Sequence, residues 1–247
     1  MTDISATINQ AVERYKVCHN LTHWRPRAAL IDMDGVLYDS MPRHAAAWRR
    51  MMMEAGIDVP EEEFFLYEGM TGEATINLLF NRHLGRSATP EEVKVLYGRK
   101  SEYFKAFGDR IPMRGADLML DILMKAHIRR ILVTGSAQAS LLDALNHDYP
   151  GAFDAAGRVT AHDVKHGKPA PEPYLRGLEL AGCLPSEAFV IENAPLGVKA
   201  GHAAGCLTVA VATGPIPEKV LAESGADIVF PSMHDFACNV RYLIDNE

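Results

Sequence analysis

Ala28-Ala29-Leu30-Ile31-Asp32-Met33-Asp34-Gly35 joins a short apolar run to two carboxylates and a glycine. The run is apolar on both side-chain parities, which is how a strand buried on both faces of a parallel sheet reads. Asp32 and Asp34 fall two residues apart, on the same side of an extended chain. Carboxylates held together repel unless a proton or cation sits between them. They also offer hard oxygens of the kind Mg2+ takes together with a substrate phosphate. Asp-Gly is equally a turn dipeptide, so a surface turn stays open on this stretch alone.

Outward from it, similar apolar runs follow at 131–133, 189–191, 207–211 and 228–230, separated by helical segments. This alternation predicts a doubly wound α/β core with a parallel sheet. Residues 42–110 break it. Ile76, Leu79, Phe80, His83 and Leu84 keep the i, i+3, i+4 spacing of a helix face. Val93, Leu96, Tyr97, Tyr103, Phe104 and Phe107 do so again after a Thr89-Pro90 start with Glu91 and Glu92 in the first turn. The economical reading is a helical block inserted between the first and second strands. Residues 3–20 predict an amphipathic helix with Ile4, Ile8, Ala11, Val12 and Tyr15 on one face. The expected organisation is a helical extension over 1–23, an α/β core over 24–41 and 114–247, and an all-helical insert over 42–113.

Bulk properties narrow the function. The 247 residues are 48% hydrophobic, enough for a sizeable core. Lys plus Arg number 25 against 32 Asp plus Glu, a formal charge of −7. With no basic cluster, nucleic acid is not an expected partner. No apolar run approaches the ~20 residues of a membrane span, and no signal pattern opens the chain, so the expected location is cytoplasmic. Cys18, Cys183, Cys206 and Cys238 have no metal-ligand spacing and read as small buried apolar residues of a reduced compartment. Met51–Met53 reads as core packing.

Polar groups gather after the apolar runs, where open α/β sheets place their ligands. Thr134-Gly135-Ser136 follows the second run, as an anion cradle or an ordinary helix cap. Gly167-Lys168-Pro169-Ala170-Pro171-Glu172-Pro173 holds a lysine among rigid prolines, suited to a fixed positive charge near phosphate or to plain exposure. Glu192-Asn193 follows the run at 189–191 and could complete a Mg2+ shell with Asp32 and Asp34, or cap the helix begun at Pro195. Read together, the set predicts phosphoryl transfer. Asp32 attacks phosphorus, Asp34 serves as acid and then base, and Lys168 with Mg2+ neutralises phosphate oxygens. Lys100 interrupts the apolar stripe carrying Tyr103 and Phe104; there an ammonium either meets an anion or snorkels to solvent. His44 shares a helical face with Trp48, Met51 and Met52, as a core histidine or a group facing the substrate.

These residues resemble the haloacid dehalogenase superfamily. Asp32-Met33-Asp34-Gly35-Val36-Leu37 looks like its first motif, with Thr134, Lys168 and Glu192-Asn193 at the second, third and fourth. His44, Trp48 and Lys168-Pro169-Ala170-Pro171-Glu172 resemble the β-phosphoglucomutase-like branch. The resemblance implies a Rossmann-like core, a mobile all-helical cap over 42–113 and Mg2+ held by Asp32, Asp34, Glu192 and Asn193. It disfavours a dehalogenase, which lacks the second aspartate. Asn193 stands where the family has an acid. Gly72 stands where the mutase has a phosphate-gripping arginine, which argues against isomerase activity, the alternative reading. Glu68 adds a carboxylate beside that loop. His44, Glu68, Lys100 and Asn193 match the branch's inorganic pyrophosphatases, so the expected substrate is pyrophosphate or a small organic or sugar phosphate, handled by a monomer or weak homo-oligomer.

Overall fold

The chain is described by a computed structural model for residues 4–108, 110–136, 139–153 and 157–245. Its centre is a six-stranded, all-parallel sheet in the order β3-β2-β1-β4-β5-β6. The strands are β1 (Ala28–Ile31), β2 (Arg129–Val133), β3 (Arg158–Val159), β4 (Ala188–Glu192), β5 (Leu207–Val211) and β6 (Ile228–Phe230). From β1 the order runs outward through β2 and β3, then returns to the other flank of β1 at β4. That reversal opens a crevice beyond the carboxyl ends of β1 and β4, the usual ligand position in such sheets. Register sharpens it. Ile31 pairs with both Leu132 and Ile191, so Asp32, Thr134 and Glu192 leave the sheet at one edge.

The continuous apolar runs are explained by helices on both faces. Ala29, Ile31, Leu132, Phe189 and Ile191 pack in one core with α1 (Ile4–Cys18), α5 (Ala116–Lys125) and α10 (Met233–Ile244). Ala28, Leu30, Ile131, Val133 and Val190 pack in a second with α7 (Glu172–Ala181) and α8 (Pro195–Ala203). Two further helices, α6 (Ala139–Asp148) and α9 (Glu218–Glu223), complete the layers. The α1 face is Ile8, Ala11, Val12 and Tyr15, with the Tyr15 hydroxyl donating to Gly205 O at 2.7 Å.

Between β1 and β2 lie α2 (Met41–Glu54), a 3-10 segment (Glu61–Tyr67), α3 (Gly72–Leu84) and α4 (Pro90–Ala106). The expected helical block is therefore present. Thr89 and Glu92 close the α4 start as a reciprocal capping box. The two chain crossings into this block run side by side, with Asp39 N donating to Ile111 O at 2.8 Å and Met113 N to Leu37 O at 2.9 Å.

Some expectations need correction. The two-residue β3 was not foreseen, because so short an edge strand carries no periodic signal. The α3 face stops at Phe80; His83 and Leu84 are exposed where the helix ends at left-handed Gly85. Phe107 is exposed because it is the α4 C-cap. Met51 and Met52 are buried but Met53 faces solvent, as three consecutive helical residues cannot share one face. Only Cys206 is buried; Cys18 and Cys238 are exposed. Among the described residues no helix is long and apolar enough to cross a membrane.

Candidate active site

At the switch point a cavity of about 60 Å3 is lined by Asp32, Asp34, His44, Glu68, Lys100, Thr134, Gly135 and Ser136, with Trp48 and Tyr97. The sheet supplies one set of these groups and the helical insert the other. Asp32 continues β1, its amide donating to Ile191 O at 3.1 Å. Lys168, beside a cis Lys168-Pro169 bond, extends between strands. Its ammonium donates to Asp32 Oδ1, to Glu192 Oε1 at 2.6 Å and to Val133 O at 3.2 Å. Burial works against that charge, but Asp32 and Glu192 outweigh it and hold the ammonium pKa above its ordinary value. Burial pushes Asp32 well up; Lys168 opposes this, while Glu192 and Asp34 add to it.

Glu192 is saturated. Oε1 accepts from Lys168 and from the Tyr174 hydroxyl at 2.6 Å; Oε2 accepts from Asn193 N at 3.0 Å and Ala194 N at 3.4 Å. The chain also closes in from below, since a Cβ at Gly197 would lie 1.8 Å from the carboxylate.

Asp34 turns away from this group. Its Oδ1 accepts from Ser40 Oγ at 2.5 Å and lies 3.1 Å from His44 Nε2. His44 Nδ1 lies 2.6 Å from Lys100 Nζ. The three form a line in which Lys100 donates to His44 and His44 donates to Asp34, the arrangement of a neutral imidazole. Burial and the Lys100 charge lower the His44 pKa, which suits that state. Burial resists ionisation of Asp34, yet His44, Ser40 and Lys100 bring it down to about 2. Lys100 is 2% exposed and sits over the rings of Trp48, Tyr97 and Phe104. Among the described residues it forms no salt bridge, and burial lowers its pKa to about 8.

Glu68 comes from the loop ahead of α3. Both its oxygens accept from Asn193 Nδ2 at 3.0 Å. Burial and then the charge of Asp32 push its pKa well up. Asn193 Oδ1 is buried without a hydrogen-bond partner. The loop rests on the core turns, for a Cβ at Gly135 would come within 2.8 Å of Gly69 O. Gly72 is hemmed in, since a Cβ there would lie 2.2 Å from the Tyr97 ring.

The predicted residues thus converge in two linked clusters, Asp32–Lys168–Glu192 and Asp34–His44–Lys100, with Glu68–Asn193 beside them. Thr134–Ser136 lines the cavity, and Ser136 N donates to Thr134 Oγ1 at 3.0 Å. Ser40 and Tyr174 were not foreseen. Tyr174 had one faint signal: a polar ring on a helix face otherwise made of Gly177, Leu178 and Ala181.

Comparison with known proteins agrees. The family profile of haloacid dehalogenase-like hydrolases matches residues 26–205. Hexitol phosphatase A of Escherichia coli (strain K12) is 32% identical over 76% of this chain and 83% of its own. Glycerol-1-phosphate phosphohydrolase 1 of Saccharomyces cerevisiae is 31% identical over 82% and 80%. A putative β-phosphoglucomutase from Bacteroides vulgatus superposes with a TM-score of 0.94 at 45% identity, covering 98% of each chain. With the family profile spanning residues 26–205 and relatives above 30% identity over most of its length, the chain belongs to the haloacid dehalogenase-like hydrolases.

Proposed function

We propose that the protein is a Mg2+-dependent phosphohydrolase that forms an aspartyl phosphate on Asp32, with inorganic pyrophosphate as its favoured substrate. The observation that carries the substrate is Lys100, a buried ammonium without a carboxylate partner on the wall of a 60 Å3 cavity. Buried charge is costly unless paired, and a second phosphoryl group would pair it. The cavity is far below the ~300–1,000 Å3 of sites for larger organic ligands, which favours a compact anion over a hexose phosphate.

Asp32 supplies the attacking oxygen, oriented by Lys168. Asp34, ionised in this state, is poised to take a proton from the water of the second step. Protonating a leaving group requires it first to gain a proton, which an approaching phosphate anion favours. A phosphate leaving group needs less help than a sugar alkoxide, and this again favours pyrophosphate.

The oxygen donors fit Mg2+. Asp32, Glu68 and Glu192 crowd more carboxylate than Lys168 can balance, and the buried Asn193 Oδ1 lacks a donor. Asp32, Glu68 and Asn193 would hold the ion, rather than the expected set with Asp34 and Glu192: Asp34 Oδ1 faces Ser40 and His44, and Glu192 has its acceptor positions filled. Bound there, Mg2+ would neutralise phosphate oxygens. Among the described residues no group of three or more His, Cys, Asp or Glu side chains is placed to hold a metal ion by itself, so the Asn193 amide oxygen would have to be part of the set.

The helical insert, residues 42–113, acts as a cap that opens for exchange about the paired crossings near 41–42 and 112–114. The names of the phosphatase relatives support a second reading, a polyol or sugar phosphate as substrate, which requires a more open cap. Isomerase activity is disfavoured, since Tyr97 fills the space beside Gly72. A panel of pyrophosphate, hexitol and glycerol phosphates and β-glucose 1-phosphate with Mg2+ tests the reading. The highest kcat/KM for pyrophosphate is expected; a clear preference for a sugar or polyol phosphate would overturn the substrate.

A further inference from the structure

Tyr174 is fully buried, and its hydroxyl makes one hydrogen bond, to Glu192 Oε1 at 2.6 Å. That oxygen is the one that accepts from Lys168. The tyrosine ring also lies under the same ammonium, 5.2 Å from Nζ to the ring centre. A buried tyrosine always seeks an acceptor, but packing alone would be served by phenylalanine, because the rest of this α7 face is apolar. Gly177 lets the helix lie close on the sheet, where a Cβ would be 3.2 Å from Val133 Cγ2.

The balance of donors gives the hydroxyl a task. Lys168 has three N–H bonds, directed to Asp32, Glu192 and Val133 O. Two carboxylates compete for one cation. Were Glu192 Oε1 to bind Lys168 alone, it would draw the ammonium away from Asp32. A second donor on Oε1 shares that oxygen's lone pairs and charge with the ammonium, and so weakens that pull. We infer that Tyr174 is a positioning residue: by sharing Glu192 Oε1 it keeps Lys168 divided between Glu192 and Asp32, and so holds the Asp32 oxygens in line for attack. The inference rests on the proposed role of Asp32.

A double-mutant cycle tests it, using Mg2+-dependent phosphate release from pyrophosphate or whichever substrate of the panel is best. Tyr174→Phe should lower kcat about tenfold, the size of one hydrogen bond to a charged group, with KM within about twofold and kcat compared where every variant is folded by thermal melting. In a Glu192→Gln background, removing the hydroxyl should cost little more, because its partner carboxylate is already gone. An unchanged kcat in Tyr174→Phe, or the same loss in both backgrounds, would overturn the inference. Asp32→Asn in the same assay separates the two claims: if it is inactive, the reading of Asp32 stands whatever Tyr174 does, and if it is active, that reading fails first.

Discussion

Lys100, on the proposed reading, costs stability and serves function at once. Its charge is buried against aromatic rings and a neutral His44. Replacing such a charge with an apolar side chain is often neutral or stabilising by about 1–4 kcal/mol. Lys100→Met should therefore raise Tm while raising KM for pyrophosphate about 10- to 100-fold. An unchanged KM would remove Lys100 from the site. The pH dependence has a definite sign. With its folded pKa lowered to about 8, Lys100 is protonated in the unfolded chain but not in the folded one between about pH 8 and its ordinary 10.5. The unfolded state binds the extra proton there, so the stability deficit of wild type relative to Lys100→Met is full below pH 8 and shrinks across that window. Urea titrations of both proteins at intervals from pH 7 to 10 measure it. At this scale the sequence reveals groups that break an apolar pattern, as Lys100 does, or that follow a strand, as Asp32 and Thr134 do. It hides Ser40 and Tyr174. The Ser40 contact arises because the turn after Gly35 folds back, with Gly35 N donating to Tyr38 O at 2.7 Å, and a buried tyrosine looks like core.

On the proposed reading, substrate enclosure depends on the loop carrying Glu68 and Gly69. It lies between the 3-10 segment and α3 and presses on the core turns at Gly135 and Gly167. Gly69 has φ +86 and a Cβ there would be 2.8 Å from Lys168 Cδ. Gly135→Ala should push this loop outward, lowering kcat/KM while Tm falls by less than an overpacked core would impose, about 1–3 kcal/mol in stability. Wild-type kinetics in that variant would show that the loop contact is dispensable. The capping box is a control: Thr89→Ala should cost about 1 kcal/mol of stability and leave KM unchanged. The α4 boundary and the strands at 207–211 and 228–230 are legible because caps and unbroken apolar runs are local signals. The end of the α3 face and the two-residue β3 are not, because long-range packing sets them.

Across the whole molecule, the sheet brings carboxylates from β1 and β4 together with Glu68 from the insert, and on the proposed reading Mg2+ would offset their repulsion. Mg2+ should raise Tm as a ligand of the folded state alone, and chelation should abolish activity without unfolding the chain, since burial of the apolar cores rather than the ion supplies the main driving force for folding. A Tm indifferent to Mg2+ up to millimolar concentrations would contradict this. The strand-tip order of acidic, hydroxyl and lysine groups was visible in the sequence. Of the residues proposed to hold the ion, Asp32 and Asn193 were legible too; the saturation of Glu192 was not, because its four donors meet only in three dimensions. The covalent role of Asp32 is tested most directly by acid-quenching the enzyme during turnover, reducing with borohydride and mapping the tryptic peptide of residues 28–43. Conversion of Asp32 to homoserine, dependent on substrate and Mg2+, is the predicted result; an unmodified Asp32 during full turnover, or modification at Asp34 instead, would contradict it.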